Sequence, residues 1–405
     1  MKKPFIERIK IKNIFSFDSK GVDIELKPLN VLIGPNGAGK SNFINVLDLI
    51  FALPSGFYEK CKYFGGLNEM IWKGDDSGDA VLELVINILG RSLRHILGFK
   101  DWSNLDIEII KPFLTQKYPI YIFPKKDNEE DQNGEKEAFY FKYENGIAQI
   151  TAKKGKYRPE IVELKKEDYN HRESILLQRQ DPITYPELTW LRDKYHEFMN
   201  HSVFRNPDPN DLKKPSNPQD ENKKLWWDYK NLAIVVNKMK SDSTLDSFIL
   251  QKLRALYCIE DIQTPIVDGK VSLKILEKYV KKPIPLQRLS DGTLRFLRLL
   301  VILLNPDAPE VICIEEPEVG LHPEVIPTLA ETLMEASENK QVIVTTHSPE
   351  LIDALTSQPE AVIVCEREDA GTQMKRLDRK DLEHWLKRYR LGELWGKGVI
   401  GGTRY

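Results

Sequence analysis

The chain has 405 residues, of which 41% are hydrophobic, 9% aromatic and 30% charged. This is ordinary globular composition, so disorder along the whole chain and fibrous structure are excluded. The 59 lysines and arginines nearly balance the 61 aspartates and glutamates, which excludes a global electrostatic attraction to nucleic acid or to an anionic membrane. Contact with nucleic acid would need a local basic patch.

Cysteine spacing and apolar runs indicate the compartment. The four cysteines, which form no CxxC pairs, are Cys61, Cys258, Cys313 and Cys365. This scatter predicts free thiols in a reducing compartment and no zinc site. Residues 1–10 alternate charged and apolar side chains and lack the apolar run of a signal peptide. The longest apolar runs, such as 299–304, are far shorter than the roughly 20 residues that cross a bilayer, so we expect a soluble cytoplasmic protein without a membrane partner.

The first ninety residues follow a pattern of strands, a glycine loop and a helix. Alternating apolar and polar side chains predict an antiparallel pair at the N-terminus, and a nearly all-apolar run before Gly34 predicts a buried central strand that leads into a loop. Helical spacing follows the loop. The predicted elements are strands at 6–17, 22–26, 29–33 and 80–88 and a helix at 41–50. We assign these elements to an N-terminal lobe, residues 1–90.

The middle of the chain loses clear periodicity. A proline- and charge-rich stretch at 206–224 indicates a connector, and helical patterns return at 232–239 and 245–257. No heptad series spans several turns, so the sequence predicts no long coiled-coil arm. We predict a mixed α/β insertion over 91–284 and a C-terminal lobe over 285–405.

Residues 34–41, Gly-Pro-Asn-Gly-Ala-Gly-Lys-Ser, fit the P-loop pattern GxxxxGK[ST] between the predicted strand and helix. Glycines let successive backbone N–H groups turn inward around phosphates, and the helix N-terminus adds partial positive charge. Lys40 would reach the β and γ phosphates, and Ser41 would ligate magnesium. The alternative is a glycine-rich turn without a ligand. The predicted nucleotide contacts are Asn36, Gly37, Ala38, Gly39, Lys40 and Ser41.

After Glu310, an apolar run over 311–314 ends in two acids, Glu315 and Glu316. The pattern predicts a buried strand that delivers carboxylates at its C-terminal end. Glu315 would face the magnesium shell, and Glu316 would polarise the attacking water as a general base. The alternative is a strand followed by solvated acids, which the P-loop earlier in the chain disfavours.

A further buried-strand pattern, 342–346, ends at His347. A lone histidine after a strand is more often structural than catalytic. Because this one follows the acidic pair along the chain, we predict that it hydrogen-bonds the γ-phosphate and senses whether that phosphate is present.

The sequence Leu-Ser-Asp-Gly-Thr at 289–293 precedes an apolar helical pattern at 294–304. Such a helix start presents a serine hydroxyl, backbone amides and a helix dipole at one point. A plain helix N-cap by Ser290 or Asp291 is the alternative that these residues leave open.

The four segments occur in the order found in the ABC-type ATPase heads of SMC, RecF and OLD-like proteins, which this chain resembles over about 1–90 and 285–360. Residues 316–323, Glu-Pro-Glu-Val-Gly-Leu-His-Pro, resemble the EPE-x-x-LHP element of the RecF/OLD-like group. The resemblance implies an α/β fold, namely a P-loop NTPase head of ABC type with an antiparallel N-terminal β-subdomain and an α-helical or mixed insertion. It also implies an ATPase that uses ATP and Mg²⁺.

In that family the segment around Ser290 is the signature motif, which completes the ATP site of a partner subunit. The resemblance therefore implies that Ser290 and Gly292 meet the γ-phosphate bound to a second copy, with Arg295 orienting that contact. It implies a homodimer or higher homo-oligomer joined through ATP-sandwiched heads.

The sequence departs from the family pattern in two places. The usual aspartate of the metal-binding strand is Glu315, one methylene longer, so direct metal ligation and contact through water both stay open. The family's Q-loop glutamine is hard to place, because none occurs between Ser41 and Gln116. Our candidate for this metal-site residue is Gln178, in a phrase similar to one in compact OLD-like ATPases, and a generic surface glutamine is the alternative.

Full-length OLD proteins append a Toprim nuclease module that needs a DxD cluster. The sequence after His347 contains no DxD, so we expect no nuclease in this chain. By resemblance we expect a separate effector protein, such as a Toprim-like nuclease or a toxin, and a role in DNA repair or anti-phage defence.

DNA is the other expected partner. The family likeness favours it, as do basic stretches at 153–158 and at 223–224, the latter followed by Trp226 and Trp227. The alternative is an ATP-gated scaffold that holds or releases an effector without binding DNA. A transporter's ATPase subunit is disfavoured by the EPE-x-x-LHP phrase and the large insertion.

Overall fold

The computed structural model describes residues 3–74, 78–88, 91–99, 105–112, 139–154, 158–170, 172–206, 208, 210, 213–217, 223–243, 248–368 and 371–402. The strands are β1 (Ile6–Lys12), β2 (Val22–Glu25), β3 (Leu29–Ile33), β4 (Ala80–Ile88), β5 (Arg91–Phe99), β6 (Ile107–Pro112), β7 (Phe141–Glu144), β8 (Ile147–Lys154), β9 (Arg158–Leu164), β10 (Val203–Phe204), β11 (Ile259–Gln263), β12 (Ile266–Val267), β13 (Lys270–Val271), β14 (Lys274–Glu277), β15 (Ile284–Pro285), β16 (Val311–Glu315), β17 (Gln341–Thr345), β18 (Val362–Glu368) and β19 (Gly371–Arg376). The helices are α1 (Lys40–Phe51), α2 (Phe57–Tyr63), α3 (Leu67–Met70), α4 (Ile175–Gln178), α5 (Pro186–His201), α6 (Leu232–Ser241), α7 (Leu250–Tyr257), α8 (Asp291–Leu304), α9 (Ile326–Ser337), α10 (Pro349–Ala354), α11 (Arg379–Leu386) and α12 (Leu391–Gly396).

In the described part of the chain, a six-stranded, mostly parallel sheet holds the order β10-β16-β17-β3-β18-β19. All five residues of β3 are buried, as expected for a central strand covered on both faces. Strands β16, β17 and β3 run parallel, with Glu315 opposite Thr345 and Thr345 opposite Leu32. The carboxyl ends of these three strands therefore meet at one edge of the sheet.

Two hydrophobic cores lie on opposite faces of this sheet. Because side chains alternate along a strand, Val31 packs into one core and its neighbour Leu32 into the other. The first core joins the sheet to α8 and α9, and the second joins it to α1, α5 and the N-terminal strands. The sheet edge that carries the strand ends is thus held from both sides.

The described residues also form an eight-stranded antiparallel sheet in the order β2-β1-β4-β5-β6-β7-β8-β9. Pairing of β1 with β2, with Ile9 opposite Ile24, confirms the predicted N-terminal β-subdomain. Because β4 and β5 pair along their lengths, the boundary proposed at residue 90 separates two strands of one sheet. The first part of the insertion therefore extends the N-terminal lobe, and β10 joins the central sheet.

Most predicted elements are confirmed, with shifted ends. The strand predicted at 6–17 was too long, because β1 ends at Lys12 and a turn follows in which Asn13 and Phe15 have positive φ angles of 53° and 52°. The helix predicted at 245–257 begins at Leu250, and residues 244–247 lie outside the described part. Among the helices that the structure describes, none has the length and apolar character to cross a membrane.

Candidate nucleotide site

The P-loop, residues 34–39, connects buried β3 to α1. Gly34 has φ +147°, and a Cβ there would lie 2.1 Å from the carbonyl oxygen of Cys365. Gly39 is the N-cap of α1 with φ +94°, and a Cβ there would lie 2.2 Å from the Thr372 hydroxyl. Both positions therefore require glycine, and the loop curls tightly against β18 and β19.

The start of α1 has the features of an anion-binding helix N-terminus. No side chain caps this helix and its first turn holds no acid, so its backbone N–H groups are open to a ligand. Lys40 is only 6% exposed and donates to the carbonyl oxygens of Gly34 at 2.8 Å and Pro35 at 3.0 Å. Burial lowers the pKa of the Lys40 ammonium, against the opposing effect of nearby acids including Glu316. Among the described residues, this buried cation has loop carbonyls as its only acceptors, which fits the binding of a phosphate chain.

The predicted metal ligands Ser41 and Glu315 come together at the end of β16. Burial raises the pKa of the Glu315 carboxyl, and the Ser41 side chain lies near enough to oppose that shift. These oxygens suit Mg²⁺, which prefers oxygen ligands and usually keeps several waters. Among the described residues no three His, Cys, Asp or Glu side chains converge, so phosphate and water would complete a magnesium shell here.

The predicted base and sensor also meet. The Nε2 atom of His347 lies 3.6 Å from Oε1 of Glu316. Glu316 has φ +45°, an uncommon conformation for a residue with a side chain, and its N–H donates to the carbonyl oxygen of Thr345 at 3.0 Å. Burial, together with Lys40, lowers the pKa of the His347 imidazole. The pair is therefore a carboxylate beside an imidazole that favours its neutral form.

Sequence reasoning assigned no role to Glu318, which holds the histidine turn. Its Oε1 atom accepts from the Thr346 hydroxyl at 2.7 Å and from the His347 N–H at 2.8 Å. Burial raises the pKa of this carboxyl. Glu318 thus ties the turn after β17 to the turn after β16. The EPE-x-x-LHP phrase contained this residue, but its partners lie 28 and 29 residues further along the chain.

Two further residues, Arg205 and Asn206, were also missed. Arg205 follows β10 and donates from Nε to Oε1 of Glu315 at 3.0 Å, and it bonds Asp48 and Asn45 of α1 at 3.2 and 2.9 Å. The Asn206 amide donates to the carbonyl oxygen of Glu316 at 3.1 Å. The strand that precedes these residues, β10, has two residues and is too short to show a periodic pattern in the sequence.

Ser290 and Gly292 lie at the start of α8, and no hydrogen bond among the described residues joins either of them to the P-loop of their own chain. Ser290 is the N-cap of α8, since its Oγ accepts from the Thr293 N–H at 3.2 Å. The alternative role as an N-cap is therefore real, and the exposed hydroxyl also bonds the Thr293 hydroxyl at 2.7 Å. A Cβ at Gly292 would lie 3.1 Å from the carbonyl oxygen of Gly320, and Arg295 donates to the carbonyl oxygen of Val319 at 3.2 Å. The predicted signature segment thus packs beside the turn after β16.

The structure gives Gln178 other partners than a metal site. Its side-chain amide accepts from the Asn170 N–H at 2.8 Å and donates to the carbonyl oxygens of Asn170 and Glu173, both at 2.8 Å. All of these groups belong to its own turn, and no described hydrogen bond joins Gln178 to the P-loop or to Glu315. Arg205 and Asn206 occupy the strand end next to β16 instead.

The basic stretches named for DNA contact are only partly described. Residues 155–157 lie outside the described part. Lys224 forms an ion pair with Glu197 at 3.0 Å, and the ring of Trp226 packs on that of His201 with centroids 5.4 Å apart. Trp227 is 55% exposed. This second stretch therefore has structural partners for half of its cationic and aromatic groups.

Comparison with known proteins places these features in a family. The chain matches, over residues 29–353, the family described as AAA domain, putative AbiEii toxin, Type IV TA system. The Old nuclease of Escherichia phage P2 is 26% identical over 171 residues, covering 37% of this chain and 29% of that protein. The retron Ec83 probable ATPase of Escherichia coli is 30% identical over 160 residues, covering 34% and 28%. The matched part spans less than a third of each relative.

Solved structures of SMC heads share the fold. The SMC head bound to the C-winged helix domain of ScpA has a TM-score of 0.55 at 13% identity and covers 93% of this chain and 99% of that one. The SMC head domain with an extended coiled coil, bound to the C-terminal domain of ScpA derived from Pyrococcus furiosus, has a TM-score of 0.52 at 11% identity, with 95% and 99% covered. These likenesses bear on the fold alone. The family match covers most of the chain, and the protein therefore belongs to this family of AAA-domain ATPases, built on the fold of an SMC-type head.

Proposed function

We propose that the chain is an ATP-dependent switch in which two copies pair head to head around ATP and Mg²⁺. Each site would join the P-loop of one copy to Ser290 and Gly292 of the other. The supporting observation is the position of Ser290. It is exposed beside the turn after β16, and no hydrogen bond among the described residues joins it to 34–41 of its own chain.

Within one head, the described contacts support a division of tasks. Lys40 would exchange the carbonyl oxygens of Gly34 and Pro35, at 2.8 and 3.0 Å, for phosphate oxygens, and the open amides at the start of α1 would bind the same phosphates. Mg²⁺, held by Ser41 and Glu315, would neutralise charge on the phosphate oxygens during transfer.

Glu316 would act as the general base and His347 as the sensor of the γ-phosphate. The Glu316 side chain is 41% exposed, so it can accept a proton from a water molecule that attacks in line. The imidazole of His347 lies beside it at 3.6 Å and would donate to the γ-phosphate. Hydrolysis removes the phosphate that bridges the two heads, so the pair would loosen.

A mixing experiment tests the shared site. Lys40→Ala lacks the P-loop cation and Ser290→Ala lacks the signature hydroxyl, so each variant alone should neither pair on ATP nor turn over. A mixed pair contains one site with both groups intact. We expect ATP-dependent pairing and partial turnover to return on mixing, measured by light scattering and phosphate release. Full activity of Ser290→Ala by itself would contradict the proposal.

A role in defence, acting on DNA or on an effector, is the biological part of the proposal. It is supported by the toxin–antitoxin description of the family and by the names of the phage nuclease and the retron ATPase. All four cysteines are free, which supports a cytoplasmic location.

The second candidate function is an ATP-gated scaffold that holds or releases a separate nuclease or toxin without binding DNA. The two candidates differ in a measurable way. ATPase activity that DNA stimulates and that salt weakens would favour action on DNA. ATP-dependent co-purification with the product of the neighbouring gene, with no response to DNA, would favour the scaffold.

A further inference from the structure

One segment that the motif analysis did not use carries an excess of positive charge. Residues 264–288 contain six lysines and arginines against two acids, although the whole chain has net charge -2. Strands β14 and β15 form a hairpin in this segment, and residues 278–282 at its tip are all exposed. The tip reads Lys-Tyr-Val-Lys-Lys, so three lysines and one aromatic residue share five consecutive exposed positions.

These lysines are not neutralised by neighbouring carboxylates. In the part of the chain that the structure describes, Lys278, Lys281 and Lys282 form no ion pair. The acids of the adjacent strand β11 are paired elsewhere: Asp261 lies 2.7 Å from Lys240, and Glu260 lies 3.9 Å from Arg254. The positive charge of the hairpin is therefore left for another molecule.

The aromatic ring at the tip indicates which class of molecule the hairpin binds. Tyr279 is 83% exposed, and Nζ of Lys278 lies 5.9 Å from the ring centroid. An exposed ring on the same exposed tip as several lysines is a combination that suits single-stranded nucleic acid, because bases can stack on the ring while phosphates contact the cations. An acidic protein segment would form ion pairs with the lysines but would gain less from contact with the exposed face of the ring.

The hairpin is joined directly to the predicted signature segment. After β15 a 3₁₀ turn at 286–288 leads to Ser290. The Gln287 amide donates to the carbonyl oxygen of Lys213 at 3.0 Å, and the Lys213 ammonium lies 2.9 Å from Asp291 at the start of α8. A ligand on the hairpin would thus sit on the segment that carries Ser290.

We propose that the β14–β15 hairpin is a nucleic-acid binding surface that takes phosphates on Lys278, Lys281 and Lys282 and a base on Tyr279. The inference deepens the DNA arm of the proposed function and does not depend on pairing of the heads. It assigns to the signature side of the head the contact that sequence reasoning placed at 153–158 and 223–227.

The test measures binding of a labelled oligothymidylate of about 30 nucleotides, longer than the site of one binding module, by fluorescence anisotropy over a salt series. The double variant Lys281→Ala/Lys282→Ala should bind more weakly than wild type. It should also reduce the slope of log affinity against log salt by about 1.4, the share of two lost phosphate contacts on a single strand. The matched control is Lys165→Ala/Lys166→Ala, which removes the same charge from two exposed lysines after β9 and should retain the wild-type slope.

Stacking is tested separately on the same oligonucleotide. Tyr279→Ala should weaken binding by about fivefold or more, and Tyr279→Phe, which keeps the ring, should restore it. An equal slope for the hairpin and control double variants would overturn the proposal. Wild-type protein that ignores the oligonucleotide but binds polyglutamate would overturn it in favour of an acidic protein partner. ATP binding measured in parallel separates these outcomes from failure of the nucleotide switch.

Discussion

Arg205 and Glu315 lie at the ends of neighbouring parallel strands, and the guanidinium of one donates to the carboxylate of the other at 3.0 Å. The same guanidinium reaches Asp48 of α1 at 3.2 Å, and Lys60 also pairs with Asp48 at 2.7 Å. One cation therefore connects the acidic strand end to the helix that follows the P-loop. The carboxylate predicted to face magnesium is held in place by a residue that no motif contains.

Removing this connection should destabilise the fold moderately. Arg205→Ala leaves the charged acceptors Glu315 and Asp48 with fewer donors, which costs about 1–3 kcal/mol in the free energy of unfolding. The lower end applies because Arg205 is partly exposed and Lys60 still pairs with Asp48. Urea unfolding measures this loss. Arg205→Lys keeps the charge but not the planar fork of the guanidinium, so its free energy of unfolding should lie between those of wild type and Arg205→Ala. Unchanged stability in Arg205→Ala would refute the connecting role.

Replacing the proposed base should separate binding from turnover. Glu316→Gln keeps the shape of the side chain but cannot accept the proton from water, so ATP should bind and the closed pair should accumulate without hydrolysis. Light scattering with ATP and Mg²⁺ reports the pair, and phosphate release reports turnover. Glu324→Gln is a suitable control, since that side chain is 86% exposed in the turn before α9 and should leave both readouts at wild-type values. A Glu316→Gln protein that stays monomeric with ATP would rule out pairing of the heads.

The hydrogen bonds of Glu318, which link the turn after β16 to the turn after β17, should affect the rate of ATP turnover more than the affinity for ATP. Glu318→Ala removes the acceptor of the Thr346 hydroxyl and the His347 N–H, which should let His347 move relative to Glu316. Misplacement of a catalytic group by about 1 Å costs on the order of a hundredfold in rate, so turnover should fall between about ten- and a hundredfold while ATP affinity changes little. Glu318→Gln keeps one carbonyl acceptor and should recover most of the rate. Equal rates in all three proteins would show that Glu318 does not position the histidine.

Lys340, a half-buried lysine next to the end of α8, should give a measurable pH dependence. Lys340 donates to the carbonyl oxygens of Leu303 and Asn305 at the end of α8, and burial lowers its pKa from 10.5 to about 8. Between these two values the unfolded chain holds a proton that the folded chain has released, so this group makes stability rise with pH across that window. Below about pH 8 both forms are protonated and the folded state carries the cost of a buried charge.

Lys340→Gln should remove this rise. Urea unfolding at pH values on either side of about 8 compares the variant with wild type, and the difference between the two proteins isolates Lys340 from other titrating groups. Lys387→Gln is the control, because that side chain is 70% exposed and should leave the pH profile unchanged. A wild-type profile that matches Lys340→Gln would disprove the assignment.

Local sequence was sufficient to locate site residues that are consecutive in the chain or that directly follow a recognisable strand. The P-loop could be located because its glycines, Lys40 and the start of α1 are contiguous, and the backbone conformation there depends on residue type. Glu315, Glu316 and His347 could be located because each follows an apolar run long enough to identify a buried strand, and parallel strands present their carboxyl ends at the same edge.

Gln178 shows where this reasoning stops. A glutamine near the end of a short helix gives no local sign of which group its amide will meet, and the structure gives it the backbone of its own turn. Strand β10 has only two residues, so periodicity could not reveal that Arg205 and Asn206 would lie beside β16. The sequence also could not show that the boundary proposed at residue 90 falls between two paired strands, since pairing of β4 with β5 is a property of the sheet.

The amino-acid sequence by itself determined the class of the protein, the glycine-rich loop and the order of the motif segments, because these depend on local backbone preferences and on runs of apolar side chains. Only the tertiary structure decided which side chains hold those segments in register. Arg205, Glu318 and Lys340 act on partners that lie tens to more than a hundred residues away, and such contacts exist only after the sheet has set the order of its strands. The unpaired positive charge of the β14–β15 hairpin is likewise a tertiary property, because it depends on which carboxylates form ion pairs with other basic residues.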